Sequence, residues 1–168
     1  MSMWIDILRK AALLGFFIAF MACTADEGQD PSGAAEEFSG EVAGVGSISA
    51  SKDFDTISGT KISAAGASIV MMQGTDNSGK GFMLRISTYK GTGTYDLGFT
   101  NIANTATFIE GTAAGQQYST AYQGTSGKIT VTVDDGKRIE GTFEFVGKAN
   151  NTSATRNVTN GKFKVNLQ

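Results

Sequence analysis

The chain has 168 residues and a nearly balanced charge, with 14 basic and 16 acidic side chains, one cysteine and no histidine. Without histidine, Ser–His and Cys–His nucleophilic pairs and the usual zinc ligands are excluded. A single cysteine cannot form an intramolecular disulfide. From this composition we expect neither an enzyme nor a bound cofactor.

The N-terminus predicts an export signal rather than a membrane-spanning helix. Arg9 and Lys10 precede twelve apolar residues, 11–22, and Asp26 follows soon after them. A spanning helix needs about 20 apolar residues, whereas the apolar part of a signal peptide needs roughly 7–15. We therefore expect residues 1–22 to be a signal peptide.

The lone cysteine follows this apolar segment directly. Residues 20–23, Phe-Met-Ala-Cys, resemble a bacterial lipobox, in which the cysteine sulfur receives a diacylglyceryl group and becomes the new N-terminus. The resemblance implies that Cys23 is a lipid attachment site and the membrane anchor of the protein. Because a lipoprotein cysteine bears two or three acyl chains, such an anchor is stable. The alternative is a plain secretory signal in which Cys23 occurs by chance.

Residues 23–37 predict a lipidated cysteine followed by a flexible acidic tether. Residues 24–37 contain five acidic side chains, no basic one and no large apolar one, so they cannot offset their ordering entropy by burial. Asp26 and Glu27 resemble the surface-export signal of Bacteroidota lipoproteins. This resemblance implies an outer-membrane protein displayed at the cell surface, and a periplasm-facing position is the alternative.

Residues 38–168 predict one antiparallel β domain. Ile129, Val131 and Val133 alternate with polar residues and precede a hairpin signal at 134–137. We expect eight to ten short strands, a β-sandwich or barrel, and no helix of normal length after the signal. The predicted strands cover residues 41–50, 56–63, 67–73, 81–88, 93–98, 104–110, 116–123, 128–133, 138–146 and 162–167.

Three motifs resemble those of a family. A GTY-leucine turn lies in residues 91–98, a GTF-F strand in 127–145 and a terminal NG-F strand in 158–165. In this order they resemble a group of uncharacterised, secreted or lipid-anchored Bacteroidota domains. The resemblance implies an all-β fold in the cell envelope and assigns no activity and no functional residues.

Two groups of acidic residues are candidates for chemistry. The oxygen-rich segments 76–79 and 134–136 contain the ligand types that Ca²⁺ prefers, but plain β-turns explain them better. Glu140 and Glu144 form a carboxylate pair on the predicted solvent face of a strand, where solubility explains them. We therefore predict no metal site and no catalytic carboxylate pair.

Two pairs of residues could recognise a sugar. Lys162 and Lys164 share a strand face and could meet an anionic glycan, although protection of an edge strand is the favoured explanation. Tyr118 and Tyr122 could form a stacking platform, although a half-buried sheet face is favoured. We expect no nucleic-acid partner, because residues 38–168 are almost neutral, with ten acidic and twelve basic side chains.

One modification site is predicted. Asp55-Thr56-Ile57 matches the three-residue acceptor pattern for O-glycosylation of Bacteroidota envelope proteins, which makes Thr56 the candidate acceptor.

Two functions remain open at this point. The first is a non-catalytic binding or structural accessory module that contacts an envelope protein or a surface glycan. The second is a small lipocalin-like barrel that holds an apolar ligand. The interior distinguishes them, because a ligand barrel needs an apolar cavity, whereas the first function predicts a core filled by Phe82, Phe108, Phe143, Phe145 and Phe163.

Overall fold

The structure, a computed structural model, describes residues 35–51, 55–111, 116–150 and 152–168. The predicted signal peptide, Cys23 and the tether up to residue 34 lie outside these ranges. Within them, no helix is both long enough and apolar enough to cross a membrane.

The described chain is all-β, as the sequence predicts. It contains one 3₁₀ turn, Phe99–Asn101, and eleven strands rather than eight to ten. The predicted strand 41–50 is in fact two strands, since the backbone turns through Gly44 at φ 81°. Only three residues of the predicted strand 116–123 are extended. The strands are β1 Glu37–Val42, β2 Gly46–Ser51, β3 Thr56–Ala64, β4 Ala67–Thr75, β5 Gly81–Ile86, β6 Gly93–Gly98, β7 Asn104–Ile109, β8 Gln117–Ser119, β9 Ser126–Asp134, β10 Arg138–Ala149 and β11 Thr155–Asn166.

All eleven strands belong to one antiparallel sheet, in the order β2-β1-β11-β10-β8-β7-β5-β4-β3. The twelve-residue strand β10 pairs with β8 at one end and with β9 along the rest of its length, and β6 pairs with β9. The sheet curls until β3 meets the end of the chain, where Gly59 bridges Leu167 and accepts a hydrogen bond from the Gln168 N–H at 3.0 Å. The result is a nearly closed, barrel-like fold.

Aromatic rings fill the interior between the two sides of this curled sheet. Phe82 of β5 lies with its ring centroid 5.1 Å from that of Phe143 of β10 and 6.3 Å from that of Phe38 of β1. The five phenylalanines that the sequence assigns to the core are all buried. Phe38, at the predicted start of the domain, lies at the centre of the cluster as well.

Glycines make room for these rings. Gly141 lies opposite Phe163 across β10 and β11, and Phe143 lies opposite Gly161. A Cβ on Gly161 would lie only 2.6 Å from the Phe143 ring. The GTF-F and NG-F motifs therefore lie on neighbouring strands. The glycine of each motif lies beneath a phenylalanine of the other motif.

One predicted side-chain orientation, that of Val133, is wrong because β9 contains a bulge. The sequence places Val133 on the core face, in phase with Val131. Glu140 pairs with Val133, but the next residue, Gly141, pairs with Val131, so Thr132 is an extra residue. A bulge of this kind reverses the faces beyond it. Val133 therefore faces outward, and Asp134 shares the core face with its partner Ile139.

Candidate binding groove on the outer face

A groove of about 600 Å³, lined mainly by residues with polar side chains, lies on the outer face of β1, β2, β9, β10 and β11. Its volume falls within the range of small-molecule sites, roughly 300–1,000 Å³. The backbone of Gly40 and Gly161 forms part of its floor. The polar side chains that line it are Ser39, Glu41, Ser47, Ser49, Lys128, Thr142, Glu144, Asn160 and Lys162.

A bulge in β11 shapes the groove. Ser39 pairs with Lys162 and Glu41 with Thr159, so β11 has one residue more than β1 between these pairs. Asn160, within the bulge, has φ 53°, a left-handed conformation that asparagine tolerates. Its Nδ2 donates a hydrogen bond to Glu41 Oε2 at 3.0 Å. Bulges bend a strand and re-aim its side chains, and they are frequent beside functional sites.

A row of cross-strand neighbours crosses the sheet at the level of the groove. Five of its six members are hydroxyl side chains, and the sixth is Lys162, which has Ser39 on one side and Thr142 on the other. In order across the sheet, the row is Ser49, Ser39, Lys162, Thr142, Thr130 and Thr94. The arrangement offers several hydroxyl donors and acceptors around one ammonium group.

Lys162 and its neighbour Lys164 differ in their partners. Lys164 Nζ lies 3.7 Å from Glu140 Oε1, and Lys128 Nζ lies 3.1 Å from Glu144 Oε1. Lys162 has no ion pair with any residue that the structure describes. The favoured explanation of the two lysines, edge protection, is wrong, because β11 lies between β1 and β10 inside the sheet. Lys162 is thus a cation of the groove lining that has no ion pair with a described carboxylate.

A second polar cluster surrounds Asp134, at the end of β9. It contains Lys61 of β3 and Tyr89 of the loop after β5. Lys61 Nζ lies 3.0 Å from Asp134 Oδ2, and the Tyr89 hydroxyl donates to the same oxygen at 2.7 Å. Burial by itself would raise the pKa of Asp134, but the hydrogen bonds from Tyr89, Lys61 and the Gly136 N–H outweigh it and lower that pKa below its usual value. Burial and the bond to Asp134 raise the pKa of Tyr89. The cluster links β3 to the end of β9.

Tyr118 belongs to a third polar cluster and not to a stacking platform. Its side chain is 7% exposed and lies under the Arg156 guanidinium, 4.7 Å from the ring centroid. Arg156 Nη2 donates to both oxygens of Glu110, at 2.9 and 3.1 Å, and this hydrogen bonding lowers the pKa of Glu110. Tyr122 follows the end of β8 and is absent from this cluster. Tyr118 is therefore a buried sheet residue.

The oxygen-rich segments are turns, as predicted. Asp76 Oδ1 accepts hydrogen bonds from the Ser78 N–H at 2.8 Å and the Lys80 N–H at 3.0 Å. Asp135 Oδ1 accepts from the backbone N–H groups of Lys137 and Arg138. Among the described residues, no three acidic, histidine or cysteine side chains are grouped so that they could hold a metal ion.

The candidate carboxylate pair, which the sequence analysis explained by solubility, and the predicted modification site lie on the surface. Glu140 contacts Arg138 Nε at 3.0 Å, and Glu144 pairs with Lys128. Thr56 is exposed at the first residue of β3. O-glycosylation of Thr56 remains a prediction.

Sequence reasoning missed both the groove and the core-facing position of Asp134. The only local signal of the groove was Asn160-Gly161 inside a strand pattern, since this dipeptide tolerates the left-handed backbone of a bulge. No local signal in the sequence indicates that β1, β11 and β10 lie side by side in the sheet, with β2 next to β1 and β9 next to β10.

Comparison with known proteins places the chain in a family. Neither a curated protein nor a solved structure matches it. A family model described as a domain of unknown function, DUF6252, matches residues 44–165, which include strands β2 to β10 in full and most of β11. The chain therefore belongs to the DUF6252 family.

Proposed function

We propose that this protein is a non-catalytic binding module of the bacterial cell envelope, anchored in the outer membrane by lipid on Cys23 and displayed at the cell surface. Its partner binds in the outer-face groove. The observation behind this proposal is the contrast between a core filled by aromatic rings and an open groove lined mainly by residues with polar side chains. The motif resemblance favours a Bacteroidota source and the same compartment.

The alternative function, a barrel that holds an apolar ligand, needs free volume inside the sheet. Phe38, Phe82 and Phe143 contact one another across that space, with ring centroids 5.1 to 6.3 Å apart. These distances are ordinary for packed aromatic pairs. The interior therefore favours recognition on the outer surface.

The groove lining fits a surface glycan that contains an acidic sugar. Ser39, Thr142 and their neighbours in the row can both donate to and accept from sugar hydroxyls. The ammonium of Lys162 can pair with a sugar carboxylate, a charge-assisted contact that is roughly twice as strong as a neutral hydrogen bond. An envelope protein is the second partner class that the exposed polar lining allows.

We expect Lys162→Gln to weaken binding of an acidic glycan about tenfold, equivalent to about 1.4 kcal/mol. The substitution keeps a polar side chain but removes the positive charge that has no ion-pair partner. The measurement is calorimetric titration of the mature protein with surface polysaccharide from the producing cell, before and after chemical reduction of its carboxyl groups.

Lys148→Gln is the matched control, because it removes the same charge from β10 outside the groove. We expect this variant to bind like the unsubstituted protein. Equal binding of the native and the reduced polysaccharide would contradict an acidic ligand. If neither form bound, the glycan assignment would be wrong and an envelope protein would become the favoured partner.

We expect Cys23→Ser to move the protein from the membrane fraction to the soluble fraction. The substitution removes the sulfur that would receive the lipid, and no helix in the described part of the chain could replace it as a membrane span. The measurement is cell fractionation together with labelled palmitate incorporation. Proteinase added to intact cells should digest the unsubstituted, lipidated protein.

Ser32→Cys combined with Cys23→Ser is the control, because it restores a thiol outside the lipobox. This double variant should remain unlabelled and soluble. Membrane retention of Cys23→Ser protein whose intact mass shows that residues 1–22 have been removed would contradict lipid anchoring. Protection from proteinase until the cells are lysed would contradict surface display and favour the periplasm-facing position.

A further inference from the structure

The side of the barrel formed by β3, β4, β5 and β7 carries a group of exposed apolar side chains. Five large apolar side chains are highly exposed in the described part of the chain, and four of them lie on this side: Ile62 at 51%, Met71 at 40%, Met83 at 44% and Ile102 at 58% exposure. These four residues and the partly exposed Ile69 form a surface that we call the apolar face. Scattered exposed apolar residues need no explanation, whereas a contiguous group indicates a contact surface.

Strand register makes these residues neighbours. Ile62 lies directly opposite Ile69, and Met71 lies directly opposite Arg85. Met83 is diagonal to Met71, because it pairs with Gln73 two residues further along β4. Diagonal neighbours in a sheet are about 7–8 Å apart, within reach of long side chains. Arg85 Nη2 also donates to the Ile102 carbonyl at 3.4 Å, which joins the loop before β7 to the face.

The charge of this side differs from that of the groove side. Its outward-facing strand residues include no carboxylate, and Arg85 is the single charge. Besides the apolar face and Arg85, they include Ser58, Thr60, Gln73, Thr105 and Thr107. A mixed surface of exposed apolar and neutral polar side chains, with one guanidinium and no carboxylate, complements the interfacial region of a bilayer, where acyl chains meet phosphate groups.

The described chain begins beside this face. The Asn166 N–H donates to Glu36 Oε1 at 2.9 Å, and a Cβ on Gly59 of β3 would lie 2.8 Å from the Asn166 carbonyl oxygen. Residue 35 therefore emerges close to β3, the first strand of the apolar face. Eleven residues, 24–34, connect it to Cys23. At about 3.3–3.6 Å per residue, they span at most about 40 Å.

We propose that the apolar face rests on the lipid bilayer, with Met71, Met83 and Ile102 in the interfacial region and Arg85 among the headgroup phosphates. The proposal depends on the lipid anchor at Cys23 proposed above. A short tether keeps the face at a high effective concentration near the bilayer, so a weak contact is sufficient. Because Phe82 behind this face packs against Phe143 behind the groove, the two outer surfaces lie on opposite sides of the core. Docking therefore leaves the groove open to the surroundings.

Tryptophan fluorescence in vesicles tests this orientation. The lipidated protein is reconstituted in phosphatidylethanolamine and phosphatidylglycerol vesicles that contain a dibrominated lipid. Met71→Trp and Met83→Trp place the fluorescent probe on the apolar face in separate variants. Trp4, the single natural tryptophan, lies in the predicted signal peptide, and the intact mass of the protein shows whether it has been removed. Thr132→Trp, exposed on β9 of the groove side, is the matched control.

We expect brominated lipid to quench both apolar-face probes at least twofold and to leave the Thr132→Trp probe nearly unchanged. Flotation with the vesicles reports the lipid anchor separately, so loss of flotation would indicate failure of the anchor. If the protein floats but all three probes are quenched equally, or the apolar-face probes are not quenched, bilayer docking is wrong. Disulfide-linked dimers of Met71→Cys in the same vesicles would instead identify a second copy of the chain as the occupant.

Discussion

Replacing Phe82 with alanine should lower the free energy of unfolding of the domain by about 3–5 kcal/mol. The Phe82 side chain is fully buried and lies between Phe38, Phe108 and Phe143, so its removal leaves a cavity at the centre of the core. Folded domains are stable by only about 5–15 kcal/mol, so a loss of this size should leave a substantial unfolded population at moderate temperature. Denaturant unfolding of the Cys23→Ser protein without residues 1–22 measures the change.

Phe99→Ala is the matched control for the Phe82 prediction. The Phe99 ring is 54% exposed in the 3₁₀ turn, so its truncation should change the stability by no more than about 0.5 kcal/mol. A small effect at Phe82, equal to that at Phe99, would show that the core is loosely packed. The apolar-ligand alternative would then be favoured over recognition in the groove.

Replacing Asp134 with alanine should destabilise the domain by about 1–3 kcal/mol at neutral pH, because the buried Tyr89 hydroxyl loses its acceptor and Lys61 loses its ion pair. The native pKa of Asp134 is lower than in the unfolded chain, so its ionised form favours the folded state. This contribution is complete above the unfolded pKa, about 3.9, and is lost as pH falls through the native pKa. The stability difference between the two proteins should therefore shrink in acid.

Asp135→Ala controls for the loss of a carboxylate in the same hairpin. Asp135 accepts hydrogen bonds from turn N–H groups that water can satisfy after truncation, so its effect should be smaller than that of Asp134→Ala. Unfolding curves at neutral pH and at pH 3 provide the comparison. Equal stability of Asp134→Ala and the unsubstituted protein at neutral pH would show that the Lys61–Tyr89–Asp134 cluster does not stabilise the fold.

Local periodicity predicted most of the strands, because alternation of apolar and polar residues is a property of a few consecutive residues. The phenylalanines of β10 and β11 are buried as that alternation predicts. The same reasoning failed at Val133, where the bulge at Thr132 reverses the faces. A bulge is defined by the register against β10, and a short segment contains no information about its partner strand.

The candidate groove could not be predicted from short segments either, because such segments contain no information about their partner strands. Lys162 could be identified as an outward-facing residue, but the sequence assigned it to an edge strand. Its place beside Ser39 of β1 joins residues that are more than 100 positions apart in the chain. Only the pairing of β11 with β1 and β10 shows that this lysine is central and surrounded by hydroxyl groups.

The sequence by itself determined the all-β class, the strands with regular alternation and five of the six phenylalanines that are buried in the described chain, because each depends on side-chain polarity at a spacing of two. It also predicts the signal peptide and the lipid on Cys23, which depend on a contiguous motif. The tertiary structure alone decided the groove, the cluster around Asp134 and the apolar face. Each of these is built from strands that are distant in sequence, and they meet only because backbone hydrogen bonding and burial of the aromatic core select one strand order and one register.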